Sequence, residues 1–372
     1  MDKIHKFFEC LIPITACNLR CEYCYVHQLS WDHGEMPTFD YSVEHMIAAL
    51  SKERLGGTCY FSICATGETT FCKQLPSLVA GLLCSGHYVN VTTNGTFTKG
   101  IDDLLGKIPR GYECHFHVAF SMHYKELKRL NLLNVFVENV HKVRDAGCSY
   151  LVQLNLYDGY LPMLGEIKDF SLRHFGALPQ MAATRLHKGG VMQDVAYHTA
   201  LSPDEYVAVG KEFHSPLFDF TIANFKRFHK EFCYAGAWSY VLNLKTGGLK
   251  QCYCNGREWN VFSDVKVKLP EKPVGCHCDN YFCQNSSHML SLGDIPSLYA
   301  NISYADLRDR PEAGWYRPEM KSFLSTKLAD TNRQFSPIEK LFVDIDYYKD
   351  KVFDVPRRAI RYIARKMRGG RK

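Results

Sequence analysis

The stretch ACNLRCEYCY, residues 16–25, places three cysteines in a C-x3-C-x2-C pattern directly after the apolar run Phe7–Ile14. Cys17, Cys21 and Cys24 can therefore reach three corners of one [4Fe–4S] cube from a single loop. The fourth iron then has no protein ligand and can bind a small molecule through an amine and a carboxylate, whereas a fully protein-ligated cluster only transfers electrons.

A zinc site is the alternative interpretation of this loop. Structural zinc takes four protein ligands, and His27 could supply the fourth beside the three cysteines. A zinc site, however, does not explain the sequence motifs in the loops that follow the later strands.

Composition limits the protein class and its compartment. The 372 residues are 46% hydrophobic, enough for one large core and a smaller appended domain. We find no secretory signal and no run of roughly 18 apolar residues, so we expect a cytoplasmic protein.

Reducing compartments rarely hold structural disulfides, which makes metal binding the expected use of clustered cysteines. The seven cysteines outside the two clusters are interpreted as small buried hydrophobes: Cys10, Cys59, Cys64, Cys72, Cys84, Cys114 and Cys148.

The charge is concentrated at one end of the chain. Residues 357–372 hold eight cations and no acid, against a net charge of +6 for the whole protein. The remainder therefore has a slightly negative net charge and no overall basic bias, so we do not expect a nucleic-acid partner.

Short apolar runs alternate with helix-like stretches over the first two hundred residues. The predicted strands are Phe7–Ile14, Thr58–Ile63, Tyr88–Thr93, Cys114–Phe120, Tyr150–Leu156 and Met181–Leu186. The predicted helices are Ser42–Lys52, Leu75–Cys84, Asp102–Lys107, Val135–Ala146, Leu161–Phe175 and Pro203–Phe213. This order predicts an α/β fold, a partial (β/α)6 barrel with its working residues on loops at the carboxyl ends of the strands.

Four segments are predicted. Residues 1–215 form the barrel, 216–300 a small cysteine-rich domain, 301–355 a helical segment and 356–372 a basic amphipathic tail.

The first motif resembles that of the radical S-adenosylmethionine (SAM) superfamily. The cysteine spacing matches, and Tyr23 is the aromatic residue that this family places near the adenine. Where the family usually has Gly-Gly-Glu after the second strand, this chain has Thr66-Gly67-Glu68. The resemblance implies that Glu68 accepts the methionyl amine of SAM and that Gly67 permits close approach of the backbone.

Later loops extend the resemblance over about residues 5–215. Thr93 and Asn94 belong to a Thr-Asn-Gly turn after the third strand, in which Gly95 suits a positive φ. Ser121 and His123 follow the fourth strand, and Asn155 lies on the fifth; these residues are predicted to contact the cofactor.

The resemblance implies a reaction class. One electron from the reduced cluster cleaves SAM to methionine and a 5′-deoxyadenosyl radical, which abstracts hydrogen from the substrate, while the protein positions the reactants and excludes water and oxygen. A flavodoxin or ferredoxin is the expected electron donor.

A second group of cysteines begins at Cys233 with the pattern C-x13-G-x4-C, in which Gly247 belongs to a hairpin turn signal. It resembles the SPASM and twitch auxiliary-cluster domains, although the later spacings are C-x-C-x4-C and no cysteine follows Cys283. We expect one auxiliary [4Fe–4S] cluster rather than two, with a structural zinc ribbon as the alternative. The expected ligands are Cys233, Cys252, Cys278 and Cys283, with Cys276 as an alternate.

The auxiliary cluster could accept the electron that remains after hydrogen abstraction, or it could only order the domain or hold substrate. Cys254 is a candidate catalytic hydrogen-atom donor of an epimerase, or else a spare ligand or an inert thiol.

The substrate and the location of the protein in the cell are indicated by the sequence less directly than the cofactor. The tail has apolar residues at helical spacing opposite its cations, which suits either an anionic membrane surface or a solvated helix. A sugar or glycan substrate is favoured by this tail, by the aromatic segment Trp315-Tyr316-Arg317, and by the presence of only sixteen residues before Cys17, too few for a leader-binding domain. A peptide-modifying enzyme is the second hypothesis, and a non-catalytic metal-binding scaffold the third.

Overall fold

The computed structural model describes residues 2–187, 195–253, 257–280, 282–349 and 351. The strands are β1 (Lys6–Ile12), β2 (Cys59–Ala65), β3 (Tyr88–Thr93), β4 (Phe116–Ser121), β5 (Ser149–Leu156), β6 (Gln180–Ala183), β7 (Arg185–His187), β8 (Val195–Tyr197), β9 (Ser239–Asn243), β10 (Gly248–Lys250) and β11 (Glu258–Asn260). Strands β1 to β6 lie side by side in parallel, in chain order. The predicted partial (β/α)6 barrel is confirmed.

Helices connect these strands. They are α1 (Tyr25–Gln28), α2 (Val43–Ala49), α3 (Lys52–Leu55), α4 (Leu75–Cys84), α5 (Thr98–Leu105), α6 (Tyr124–Arg129), α7 (Leu133–Asp145), α8 (Leu164–Phe175), α9 (Pro203–Lys211), α10 (Pro216–Asn224), α11 (Ser286–Leu292), α12 (Tyr304–Arg308) and α13 (Pro318–Leu324). A further helix spans residues 337–349. Helix α4 shows why they form: its buried positions 75, 78, 79, 82 and 83 make one apolar stripe that packs onto the sheet.

The last predicted strand, Met181–Leu186, is divided in the structure. Strand β6 ends at Ala183, and the chain then enters β7, which pairs with β8 in a separate two-stranded sheet. Between the two, the backbone N–H of Thr184 donates to the Tyr206 hydroxyl at 2.9 Å, so a side chain from α9 replaces the sheet partner there.

The main sheet continues beyond residue 215. Strand β9 pairs in parallel with β1, and β10 and β11 extend that edge in antiparallel fashion. Gly247 has a φ of +77° in the turn between β9 and β10, as the hairpin signal predicts. The domain boundaries remain predictions, since residues on both sides of position 215 share one sheet.

The segment at residues 304–330 lies at the amino ends of the strands, away from the first cysteine loop. The backbone N–H of Tyr150 at the start of β5 donates to the Trp315 carbonyl at 2.9 Å, and the fully buried Trp315 indole donates to the Phe175 carbonyl at 2.9 Å. Trp315 is therefore a core residue. Its ring is enclosed by protein at the end of the barrel opposite the first cysteine loop, so Trp315 serves in packing and gives no support to a sugar substrate.

Within the described residues, no helix is long and apolar enough to cross a membrane. The basic tail, residues 356–372, lies outside the described residues.

Candidate active site

The first cysteine loop lies at the carboxyl end of β1. Cys17 is exposed, Cys21 is buried and Cys24 is half-buried. Burial raises the pKa of all three thiols, and the pKa of Cys21 is raised further by the neighbouring charges of Cys24 and Cys17. The three sulfurs are therefore close enough to act on one another, and a bound metal would relieve this repulsion by binding the thiolates. No three candidate ligands among the described residues converge at the distances of a single-ion site.

Gly67 holds the loop after β2 against the cysteine loop. Its backbone N–H donates to the Ile14 carbonyl at 2.6 Å, and the next N–H, that of Glu68, donates to the Ala16 carbonyl at 2.9 Å. A Cβ atom at position 67 would lie 2.3 Å from that Ala16 oxygen. The close backbone approach expected of Gly67 is thus an approach to the cysteine loop itself, and a direct contact with the cofactor remains a prediction.

The Glu68 side chain forms hydrogen bonds within the loop after β2 and with the loop after β3. It is 2% exposed, and its carboxylate accepts hydrogen bonds from the Thr93 hydroxyl at 2.6 Å and from the Asn94 backbone N–H at 2.8 Å. The Thr70 hydroxyl donates at 2.6 Å and the Thr70 backbone N–H at 3.0 Å. Three of these donors reach Oε1 and one reaches Oε2, so Oε2 keeps room for a further donor. The two hydroxyls can rotate away, and a ligand ammonium could then take their place.

Asn94 extends this network to the cysteine loop. Its side-chain amide donates to the Asn18 side-chain oxygen at 2.9 Å and lies 3.7 Å from the Cys17 sulfur. Gly95 has a φ of +71°, which confirms the predicted turn. The predicted residues Glu68, Thr93 and Asn94 are therefore brought together beside Cys17.

Tyr23 and His123, two of the predicted cofactor-binding residues, contact each other. The Tyr23 hydroxyl lies 2.6 Å from Nδ1 of His123 and 3.2 Å from the Tyr160 hydroxyl. Desolvation lowers the pKa of His123 to about 4, so its imidazole is neutral at pH 7 and Nδ1 can accept the Tyr23 proton. Ser121 and Asn155 are half-buried at the carboxyl ends of β4 and β5, on the same side of the barrel.

The second group of cysteines lines one cavity. The cysteines that line it are Cys233, Cys252, Cys278 and Cys283. Burial raises the pKa of Cys233 and of Cys283, and the charge of Cys252 raises both further. Cys233 is held in place by a pair of backbone hydrogen bonds with Gly275, at 3.1 and 3.0 Å. Four thiols around one cavity form a donor set that suits a fully protein-ligated cluster.

Two other predicted residues stand apart from this set. Cys276, the alternate ligand, is exposed, does not line the cavity, and is acted on by the charges of Asp344 and Lys340. Cys254, the candidate hydrogen-atom donor, lies outside the described residues.

Glu9 is a candidate site residue that the sequence analysis missed. It is 6% exposed on β1, and its carboxyl accepts from the Asn285 amide at 3.2 Å and from the Cys64 thiol at 3.7 Å. Burial raises the pKa of Glu9 to about 7, and hydrogen bonds from Asn285, Cys64 and Tyr253 oppose this rise. The signal in the sequence was an acid inside the apolar strand KFFECLI.

Glu9 lies between the two groups of cysteines. On one side, Cys64 is half-buried; burial raises the pKa of Tyr25, and the charges of Cys64 and Cys24 add to this rise. On the other side, burial raises the pKa of Tyr253, which lines the cavity of the second group, and the charge of Glu9 adds to this rise. Cys64 is therefore not simply a small core hydrophobe, because its thiol belongs to a polar line that runs from the first cysteine loop to the second.

Comparison with known proteins places the first of these sites in a family. A model of the radical SAM superfamily matches residues 11–169, which include Cys17, Cys21 and Cys24, Glu68 and the Thr-Asn-Gly turn. No curated protein sequence matches the chain significantly.

Several solved structures resemble the fold. SuiB of Streptococcus suis, bound to S-adenosylmethionine, has 13% identity and a TM-score of 0.46, with 71% of this chain and 65% of SuiB covered, so this chain spans about two thirds of SuiB. A histidine-tagged form of anSMEcpe with bound AdoMet has 16% identity and a TM-score of 0.49, with 69% of this chain and 76% of that one covered. BtrN in complex with AdoMet and 2-DOIA has 13% identity and a TM-score of 0.34, with 89% and 92% covered.

The family model and the barrel lead to one conclusion: residues 11–169 form a domain similar to that of the radical SAM superfamily.

Proposed function

We propose that this enzyme abstracts hydrogen from a sugar or glycan that binds between the two groups of cysteines, and that the outcome is oxidation or epimerisation. The observation that carries the proposal is the buried Glu9 carboxyl, which accepts from the Cys64 thiol at 3.7 Å and from the Asn285 amide at 3.2 Å, since Asn285 lines the cavity of the second group of cysteines.

The residues of the first site fit the cofactors that the superfamily implies. A [4Fe–4S] cluster with SAM, when bound, supplies reductive cleavage to a 5′-deoxyadenosyl radical. Cys17, Cys21 and Cys24 provide thiolates for three irons, and the buried Glu68 provides an anion for the methionyl ammonium. Gly67 fixes the distance between these two loops, since any side chain there would strike the backbone of Ala16.

Tyr23 and His123 would border the adenosine. The neutral imidazole and the phenol hold each other at 2.6 Å, so the ring of Tyr23 has a fixed orientation next to the cysteine loop. Ser121 and Asn155, at the carboxyl ends of their strands, would contribute further polar contacts.

The second site is proposed to hold one auxiliary [4Fe–4S] cluster. The four cysteines of the cavity support this ligand set, and the exposed position of Cys276 supports leaving it out. A cluster with four protein ligands suits electron acceptance rather than substrate binding. A structural zinc ribbon is the competing interpretation, and the metal content of a variant that lacks Cys17, Cys21 and Cys24 distinguishes the two.

Glu9 supports a hydroxyl-bearing substrate. If hydrogen abstraction leaves a radical on a hydroxyl-bearing carbon, the Glu9 carboxylate, whose pKa burial raises to about 7, could accept the hydroxyl proton as that carbon becomes a carbonyl. A cluster held by the second group of cysteines would accept the remaining electron. A peptide substrate is the alternative. Flavodoxin or ferredoxin is the proposed electron donor, Cys254 remains a proposed hydrogen-atom donor if the outcome is epimerisation, and peripheral membrane contact remains a proposal for the tail.

The test of this function is a hydrogen-transfer experiment. The anaerobically reconstituted, reduced enzyme is given SAM with nucleotide sugars or lipid-linked glycans that carry deuterium on ring carbons. We expect 5′-deoxyadenosine to rise above the substrate-free level and to contain deuterium. Transfer from a peptide and from none of the sugars would contradict the sugar proposal and would leave the superfamily assignment intact.

A further inference from the structure

The helix at residues 337–349 leaves an apolar face in solvent. Ile338 is 67% exposed, Leu341 56%, Phe342 62% and Tyr348 59%, and Ile345 at 36% lies among them. These positions recur at intervals of three and four residues, so they form one stripe along a single side of the helix. An exposed stripe of this kind marks an interaction surface.

Side chains beside and opposite this stripe hold the helix against the cysteine-rich segment. Asp344 pairs with His277 at 2.8 Å, and Asp346 pairs with Lys272 at 2.5 Å. Tyr347 stacks on the His277 ring with a centroid distance of 4.0 Å. The helix is thus docked on the cysteine-rich segment by ion pairs and ring stacking, and its exposed apolar stripe takes no part in this contact.

Asp344 and Asp346 keep 38% and 39% of their side-chain surface exposed beside the stripe, but each is paired with a cation. The exposed Lys349 lies at the end of the stripe. The chain then continues into residues 357–372, which contain eight cations and no acid. Apolar side chains on one surface together with a high density of positive charge are the two features that bind a protein to an anionic lipid surface.

We propose that the exposed face of helix 337–349 inserts into the headgroup region of an anionic membrane, with the basic residues that follow it providing the electrostatic attraction. Phe342 and Tyr348 are suited to this depth, because aromatic side chains favour the membrane interface. A second copy of this chain is the other occupant that such a stripe could accept.

The test is flotation of the full-length protein with vesicles of phosphatidylcholine alone and with vesicles that contain phosphatidylglycerol. We expect binding only to the anionic vesicles, and weaker binding as salt is raised, because salt screens the charges. Phe342→Glu is expected to reduce binding roughly tenfold or more, since it removes a large apolar side chain from the stripe. Leu172→Glu, at an apolar position of α8 that is 50% exposed, is the matched control and should bind like the wild type.

Three results would overturn the proposal. The first is equal binding to both kinds of vesicle, and the second is binding of Phe342→Glu that equals that of the wild type. The third is a dimer, measured by light scattering, that Phe342→Glu dissolves while the wild type binds no vesicles; this result would assign the stripe to a second copy of the chain. Thermal unfolding of both variants shows that each is folded.

Discussion

The carboxylate of Glu68 accepts the backbone N–H of Asn94 at 2.8 Å and so ties the loop after β2 to the loop after β3. Asn94 in turn donates to Asn18 of the cysteine loop at 2.9 Å. Loops from three adjacent strands therefore form one hydrogen-bonded unit around the first group of cysteines. The position of the cluster loop depends on Glu68 as well as on the cysteines themselves.

Glu68→Gln should weaken SAM binding. The amide has no negative charge for the methionyl ammonium, and its NH2 group cannot accept the Asn94 N–H. We expect the Kd for SAM to rise by about tenfold or more, a loss of about 1.4 kcal/mol or more. Equilibrium dialysis of the reconstituted protein measures this Kd. Iron content serves as the control and should stay constant; an unchanged Kd at full iron content would rule out Glu68 as the amine acceptor.

Gly67→Ala should displace the cysteine loop. Its Cβ would lie 2.3 Å from the Ala16 oxygen, a backbone atom that cannot move aside cheaply. We expect a loss of stability of about 1–3 kcal/mol together with poor retention of iron. Gly165→Ala is the matched control, because no atom lies within 4 Å of the Cβ position there. Thermal unfolding and iron analysis of both variants provide the comparison, and equal behaviour of the two would contradict the packing role of Gly67.

Cys283→Ala and Cys276→Ala should differ in their iron content. Two [4Fe–4S] clusters correspond to about eight irons per chain, and one cluster to about four. Cys283 lines the cavity of the second group of cysteines, and Cys276 does not. We therefore expect Cys276→Ala to keep about eight irons and Cys283→Ala to keep about four. The reverse pattern would show that Cys276 is the ligand.

Glu9→Gln should change how stability depends on pH. The carboxyl has an ordinary pKa of 4.5 when exposed and about 7 in the fold, where burial is the main cause of the rise. Between these values the unfolded chain releases the proton while the folded protein keeps it, so the contribution of Glu9 to stability falls as pH rises from about 4.5 to 7 and then levels off. The total is about 3 kcal/mol at most.

Glutamine does not titrate, so the stability advantage of Glu9→Gln over the wild type should grow from about pH 5 to about pH 8. Thermal unfolding of the cluster-free proteins across this range tests the expectation. Asp294 is a second buried acid whose pKa burial raises to about 7, and it is present in both proteins, so its effect cancels in the comparison. Parallel stability curves for the two proteins would contradict the assignment.

The barrel could be predicted because its strands are short apolar runs separated by regular helical patterns, and because each loop motif follows a strand directly. Glu9 was missed because a strand that is apolar on both faces gives no sign of which single polar residue faces a cavity. The choice between Cys276 and Cys278 depends on the tertiary packing of the loop near Gly275 against residues 233–236, which spacing does not encode. The place of Trp315 in the core could not be decided from the sequence, because an aromatic residue in a polar stretch is compatible with core packing and with a substrate contact.

The most direct test of the central claim is the electron paramagnetic resonance spectrum of the anaerobically reconstituted, reduced protein before and after SAM is added. We predict a [4Fe–4S] signal that SAM alters, and its loss in the variant in which Cys17, Cys21 and Cys24 are all alanine. A spectrum that does not respond to SAM, or one that is the same in the variant, would contradict the account.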